Sequence, residues 1–293
     1  MPQLDLKHSE QIFRAVGEPT RLRLLHLCAL GEHTVSDLMS ALEQSQPRVS
    51  RHLKILCDAG LLERFRDGHW VYFRVPLSGQ GALAASHVLR ITADDDARLI
   101  RDREALANVL GDQSASGDPE LRRFNRLVVD AFLSHPVGDL LDIGVGSGAI
   151  LKLLAAKATK AVGVDIDSQS RRAARRAFAR ASLANCTVRP GDMYRLDLAD
   201  ESFDTVVLDE VLLDASSPQA VLAEAGRTLR ATGRMLVVEH VSRDATEATH
   251  AIPELLAAAQ LHCGPIRQAY DGDGQYLLAM ATPANDTQSR RSA

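Results

Sequence analysis

Nowhere does this sequence approach the roughly 20 consecutive apolar residues that a membrane-spanning helix requires. A helical membrane protein is thereby excluded. The opening MPQLDLKHSE lacks the apolar core of a secretory leader, so a cytoplasmic location is expected. Cysteine is scarce and scattered: Cys28, Cys57, Cys186 and Cys263 never form a C-x-x-C. That spacing speaks against a disulfide framework and a zinc knuckle, and leaves the four as small buried hydrophobes. An overall positive charge is also missing, with 34 Lys and Arg against 38 Asp and Glu. The deficit is uneven. Residues 1–91 carry 11 basic against 9 acidic side chains, and the remainder 23 against 29. A uniformly acidic chain would be a poor ligand for nucleic acid; this split permits a basic face on a small N-terminal domain.

The 293 residues suffice for about two domains. No internal repeat occurs. The polar stretch GDQSASGDPE (Gly111 to Glu120) reads as a linker, preceded by a charged helical segment over Thr92 to Leu110. The tail from Pro283 is polar and expected to be disordered. Before the linker, helices give way to two short strands. After it, the apolar runs LLDIG, AVGVDI, TVRPG, FDTVVL and RMLVVEH alternate with the helical stretches AILKLLAAKA, SRRAARRAFARASLA and PQAVLAEAGRTL. That alternation implies a parallel sheet with right-handed crossovers. LHCGPIRQAY and QYLLAMATP flank DGDG and read as a terminal antiparallel hairpin. Val241 to Pro253 leaves room for little more than a loop, so no large substrate-capping insertion is expected. The resulting division is 1–91, a helical linker over 92–118, a second domain over 119–283 and a disordered tail over 284–293.

Within the first domain, Thr34 and Asp37 are spaced as a capping box at the head of TVSDLMSAL. After a short break, SQPRVSRHLKILCDAG has Ser45 as a plausible N-cap, Pro47 in the first turn and Gly60 just past the end. Two short helices joined by a tight turn form a helix-turn-helix. At about 100° per residue, Val49, Leu53 and Leu56 share one stripe and should face the core. The opposite arc carries Arg48, Ser50, Arg51 and Lys54, with Ser45 at its start. Arg can fork onto guanine there, and Lys and Ser can hold phosphates. In LLERFRDGHWVYFRV, Asp67-Gly68 signals a hairpin with Arg64, Arg66 and His69 near its tip, a basic wing suited to backbone or minor groove. Trp70, Tyr72 and Phe73 read as packing residues.

Over about residues 9–77, and in particular at SQPRVSRHLKIL and GHWVYFRV, the chain resembles the ArsR family of winged-helix repressors. The resemblance implies a homodimer on a pseudo-palindromic double-stranded operator, with Gln46, Arg48, Ser50, Arg51 and His52 on the recognition helix. Many members sense metals through a cysteine pair, but Thr34-Val35-Ser36 stands where that pair would fall. His87 has no suitably spaced partner. No metal site is expected.

In the second domain, Asp142-Ile143-Gly144-Val145-Gly146-Ser147-Gly148 lies between a strand and a helix. Glycines let the backbone turn sharply and approach a ligand at the positive end of the next helix. Asp165, at the end of the next strand, can accept from both ribose hydroxyls. Gly144, Gly146 and Ala149 also satisfy the loose dinucleotide pattern G-x-G-x-x-A. Three features favour an adenosyl amino acid instead. Asp142 can meet an ammonium. The spacing is G-x-G-x-G. Gly191-Asp192-Met193 offers an acceptor for the adenine amino group and an apolar flank.

Together with FDTVVLDEVL and RTLRATGRMLVVEH, these motifs resemble the class I S-adenosylmethionine-dependent methyltransferase fold over about residues 119–282. The resemblance implies that Asp142, Gly144, Gly146, Asp165 and Asp192 contact the cofactor. It further implies that Ile166 and Met193 sandwich adenine, and that Leu208 and Asp209 end the fourth strand near it. The expected architecture is α/β: an N-terminal winged helix-turn-helix (α+β) and a C-terminal Rossmann-like methyltransferase fold ending in an antiparallel hairpin.

Methyl transfer needs a positioned nucleophile and a site that excludes water. Asp209, Glu210, Glu239 and His240 are candidates for such work, or are helix caps and surface acids. Cys186 and Cys263 supply no thiol cluster for arsenite chemistry. The five arginines Arg171, Arg172, Arg175, Arg176 and Arg180 read as the solvated face of a sheet-covering helix. The expectation is a repressor, similar to ArsR-type regulators fused to a methyltransferase-like domain, whose operator affinity responds to S-adenosylhomocysteine or S-adenosylmethionine. Ligand closure would alter the spacing of two recognition helices, against a half-site period of roughly 34 Å. The alternative is an active methyltransferase that carries its own DNA-binding domain.

Overall fold

The computed structural model describes residues 5–93, 95–111, 119–132, 135–242, 244–271 and 274–284. It divides into two compact units, Met1–Ser114 with Arg175–Thr187, and Ala115–Ala174 with Val188–Ala293.

The first unit starts with α1 (Leu6–Val16) and α2 (Pro19–Cys28), the latter begun by Glu18, whose carboxylate accepts the Arg21 N–H, and by Pro19 in the first turn. β1 (His33–Thr34) leads into α3 (Val35–Leu42). The expected capping box is formed: Thr34 Oγ1 accepts the Asp37 N–H and the Asp37 carboxylate accepts the Thr34 N–H. α4 (Gln46–Asp58) follows, with Ser45 at its N-cap position but making no side-chain capping bond, so its hydroxyl stays free. β2 (Glu63–Asp67) and β3 (Trp70–Arg74) form the wing hairpin, and β3 also pairs with β1, giving the sheet order β1-β3-β2. α5 (Gly79–Ile91) and α6 (Ala97–Leu110) complete the run of helices.

Val49, Leu53 and Leu56 are fully buried, together with Leu24, Leu25, Leu38 and Leu61. Each such side chain contributes about 1.5–3 kcal/mol by leaving water. The helical linker expected over 92–118 needs correction. α6 packs Leu106 and Leu110 into this same core, and Arg23 makes a paired bond to the buried Asp102 at 2.6 Å. Its apolar residues recur at helical spacing, and burying that stripe outweighs the polarity that made it look like a spacer. The polar run 112–118 and the tail 285–293 lie outside the described residues.

The second unit is built on one sheet; Arg175–Thr187, the end of its third helix through the first two residues of its third strand, are grouped with the first unit. Its elements are α7 (Pro119–Ala131), which absorbs the last two residues of the expected linker, β4 (Gly138–Ile143), α8 (Ala149–Leu154) with a 3-10 turn over Ala155–Lys157, β5 (Ala158–Asp165), α9 (Ser168–Arg180), β6 (Cys186–Pro190), β7 (Phe203–Asp209), α10 (Pro218–Thr228), β8 (Leu229–Ser242), α11 (Thr246–Ala258), β9 (Leu261–Cys263), β10 (Arg267–Asp271) and β11 (Gly274–Pro283). The strand order is β10-β11-β8-β7-β4-β5-β6, with β9 also on β11. β5, β4, β7 and β8 pair in parallel, as their near-continuous apolar runs require, whereas β11 runs antiparallel to β8, β9 and β10. LHCGPIRQAY therefore splits into two strands rather than one; residues 272–273 of the DGDG turn lie outside the described set.

Two further expectations are corrected. Val241 to Pro253 is not a loop: α11 runs straight through Pro253, held by the burial of Ile252 and Leu256. That packing offsets the single backbone bond a proline forgoes. Nor is the arginine face of α9 uniformly solvated. Arg171 donates to the Asp165 and Ile166 carbonyl oxygens. Arg175, grouped with the first unit, is only 3% exposed and forks between Glu32 and Asp67, stacked 4.5 Å over the Tyr72 ring. Glu32 also accepts from Arg74 at 2.8 Å.

Candidate functional site

Two surfaces carry chemistry. In the first unit, Gln46, Arg48, Ser50, Arg51 and Lys54 are exposed along α4, opposite its buried stripe, and Ser45 is exposed at its head. Lys54 is engaged with Asp58 at 2.6 Å, so its ammonium is partly neutralised. His52 departs from the expectation. It lies on the helix, but its side chain turns inward, 3.6 Å from the Glu18 carboxylate, and burial holds its pKa below the usual histidine range. On the wing, Arg64, Arg66 and His69 are exposed. Gly68 adopts φ 57°, the left-handed turn that the Asp-Gly pair anticipates. Tyr72 and Phe73 are buried as expected, but Trp70 is 37% exposed and stands on the wing surface instead of the core.

In the second unit, the C-terminal ends of the central strands surround a cavity of about 610 Å3. Such a volume falls within the ~300–1,000 Å3 of small-molecule sites. Gly144, Gly146, Asp165, Ile166, Asp192, Met193 and Asp209 line it, seven of the ten residues expected. Gly144 has φ 82°, and a Cβ there would lie 2.3 Å from Val211 Cγ1 and 2.7 Å from the Asp209 carbonyl oxygen. Gly146 has φ 50° and nothing closer than 3.7 Å to its would-be Cβ, so the loop leaves open space beside it. Asp165 fixes that loop: its carboxylate accepts the Gly146 N–H at 3.0 Å and the Asp167 N–H at 2.8 Å. Each carboxylate oxygen retains further lone pairs for a ligand. Ile166, 78% exposed at the cavity wall, offers an apolar surface with nothing upon it.

Asp142, Gly148 and Leu208 do not line the cavity. Leu208 is fully buried in the sheet core, and Gly148 serves as the left-handed cap that starts α8. Asp142 is fully buried with no well-formed hydrogen bond to either carboxylate oxygen, and only the Leu151 N–H is near enough to favour its charged form. Burial, then the negative charge of Asp165, push its pKa up to about 7. Burial and the neighbouring charge of Asp142 raise Asp209 further, to about 9. These acids titrate as a coupled set, so a nearby cation would favour their ionised forms. The same cavity is lined by Phe124, Tyr194 and Tyr276, which motif reading missed, and by Glu210, one of the four candidates named for methyl-transfer chemistry. Phe124 and Tyr276 come from α7 and β11, far apart in sequence, and pack at 4.2 Å between ring centroids. Glu210 holds φ 53°, a strained conformation for a residue with a side chain.

Of the other catalytic candidates, Glu239 holds the irregular segment after β7. Its carboxylate accepts the Leu212 and Leu213 N–H groups, while burial raises its pKa to about 7. His240 packs on Tyr276 at 4.7 Å. Among the described residues, no three His, Cys, Asp or Glu side chains gather as a metal site, and no helix is long and apolar enough to cross a membrane.

The residues at the cavity suit an adenosyl amino acid. An adenosyl amino acid in this cavity would find Asp165 on its wall as an acceptor, Ile166 and Met193 as apolar surface and Asp209 as an acid, while the buried Asp142 stands off the wall. Comparison with known proteins agrees with the two-part reading. Residues 18–64 match the pattern described as bacterial regulatory protein, arsR family, and residues 141–237 that of a methyltransferase domain. The chain is 38% identical over 110 residues to an arsenical resistance operon repressor of Escherichia coli, covering 37% of this chain and 89% of that protein. It is 32% identical over 108 residues to a phosphatidylethanolamine N-methyltransferase of Cereibacter sphaeroides, covering 36% of this chain and 53% of that one. Among solved structures, a SAM-dependent methyltransferase from Aquifex aeolicus aligns with a TM-score of 0.48 at 19% identity, over 56% of this chain and 93% of the other. The chain belongs to the arsR family of bacterial regulatory proteins, an ArsR-type transcriptional regulator with a methyltransferase-like domain fused behind its helix-turn-helix.

Proposed function

We propose that this regulator is a repressor whose operator affinity is set by S-adenosylhomocysteine or S-adenosylmethionine bound in the C-terminal cavity. One observation carries the reading: a 610 Å3 cavity with the adenosyl-type donors and acceptors on it lies in the same chain as a recognition helix whose Arg48, Ser50 and Arg51 stand free. Those side chains reach base edges and phosphates, with Arg64, Arg66 and His69 of the wing on the adjoining backbone. The ligand supplies only binding free energy. It shifts DNA affinity to the extent that it binds the DNA-competent and DNA-incompetent states unequally. Acting as a homodimer is part of this proposal. Leu6 and Phe13 on α1, 87% and 71% exposed, and Ile91 at the end of α5, 83% exposed, are apolar surface that a second copy would cover.

The test is calorimetry of the full chain with each nucleoside, followed by a gel shift on its selected operator with and without ligand. Saturable one-to-one binding and a ligand-dependent shift are expected. If neither nucleoside binds, the reading falls. Phe124, Tyr276 and Glu210, which the adenosyl cradle does not use, favour a second reading in which an acceptor enters and is methylated. Turnover of labelled S-adenosylmethionine on small acceptors supports that reading, and binding without turnover supports the first.

A further inference from the structure

A second, smaller cavity of about 220 Å3 lies on the β8-β11-β10 portion of the sheet in the second unit. Its floor is Leu236, Leu278 and Met280. The strand register explains why these meet: Leu236 is opposite Met280 on neighbouring strands, and Arg267 is opposite Leu278, so all four project to one face. Arg234, two residues before Leu236, shares that face, and His135 closes the rim beside the end of α7. Neither the Arg234 nor the Arg267 side chain makes a hydrogen bond or ion pair among the described residues, whereas those of Arg227 and Arg230 in the same unit are each tied to carboxylates. Two unpaired guanidinium groups over an apolar floor are unusual where acidic side chains outnumber basic ones, 29 against 23 from residue 92 onward. Guanidinium groups match carboxylate and phosphate geometry through paired bonds.

We propose that this cavity is a binding site for a small organic anion, a carboxylate or phosphate on a short hydrocarbon body, gripped by Arg234 and Arg267 with its apolar part on Leu236, Leu278 and Met280. The volume is below that of drug-sized pockets, which suits a metabolite-sized occupant. The apolar concave floor favours a small molecule over a nucleic-acid backbone, which needs only cations. This site is separate from the adenosyl cavity and stands whether or not that cavity binds a nucleoside.

The experiment titrates the full chain with phenylacetate, phenyl phosphate and the neutral 2-phenylethanol, read by calorimetry. Saturable one-to-one binding of at least one anion is expected, with the alcohol at least tenfold weaker. Which anion binds more tightly identifies the headgroup. The Arg234→Gln/Arg267→Gln variant is expected to melt at the parent temperature and lose at least tenfold in affinity. Met280→Trp, which fills the floor, should also abolish binding. Absence of saturation by both anions, equal binding of the alcohol, or undiminished binding by the arginine variant would overturn the proposal. So would a variant that loses affinity for DNA alone, which would assign these arginines to the phosphate backbone.

Discussion

Gly144 and Arg175 show how much can rest on one side chain, or on its absence. Any Cβ at position 144 meets Val211 and the Asp209 carbonyl in a backbone conformation at φ 82°. Gly144→Ala is therefore expected to cost about 1–3 kcal/mol from backbone strain alone and to close the cavity rim. Calorimetric melting and loss of nucleoside binding would check this. Arg175→Ala removes a buried cation from Glu32 and Asp67 and leaves Glu32 with Arg74 alone of its two arginines, an expected loss of about 3–5 kcal/mol. The loss should deepen with pH. Burial already raises the Glu32 pKa, and removing Arg175 raises it further, so the folded state holds a proton that the unfolded chain releases. Stability then falls as pH climbs from the unfolded value toward the folded one. Melting curves of parent and variant at pH 5 and pH 8 test the sign. Neither residue's partners could be read from neighbouring sequence: Arg175 is 143 positions from Glu32 and 108 from Asp67. Its spacing on an alanine-rich helix looked like a solvated face.

At the scale of the element, α4 divides its work cleanly by face. Arg48→Ala and Arg51→Ala touch no packing contact and should leave stability within about 0.5 kcal/mol of the parent. Each is expected to cost about 1–3 kcal/mol in specific DNA affinity if it reads a base. If it holds a phosphate, binding weakens on all sequences and the salt dependence becomes shallower. Anisotropy titrations at several salt concentrations separate these outcomes. α6 behaves oppositely. Leu106, 1% exposed, belongs to the first unit's core, so Leu106→Ala should destabilise that unit by about 2–5 kcal/mol. The capping box at Thr34 and the stripe of Val49, Leu53 and Leu56 were legible because both depend on spacings of three and four residues. α11 was not, because Pro253 breaks the local signal that the burial of Ile252 and Leu256 restores.

For the molecule as a whole, the acidic set of Asp142, Asp209 and Glu239 predicts how pH acts. Each is held above the ordinary carboxylate range, chiefly by burial. The folded state keeps protons that the unfolded chain sheds, so the stability of the ligand-free protein should decline from pH 5 to pH 8, with Asp142→Asn flattening the slope. A ligand carrying an ammonium favours the ionised acids. Its binding should therefore release protons and tighten from pH 6 to pH 8, measurable by calorimetry in buffers of different ionisation enthalpy. The strand-helix alternation, the helix-turn-helix, the glycine loop and the acids at three strand ends were determined by sequence alone, because local periodicity, caps and turn residues act over a few positions. Tertiary structure alone decided that Asp142 is buried behind the cavity, that Phe124 and Tyr276 complete its wall, that α6 is core, and that Arg175 is an internal counter-ion. Those outcomes depend on which distant segments share a surface, and burial, the dominant force in folding, is a property of that shared surface and of no short stretch of chain.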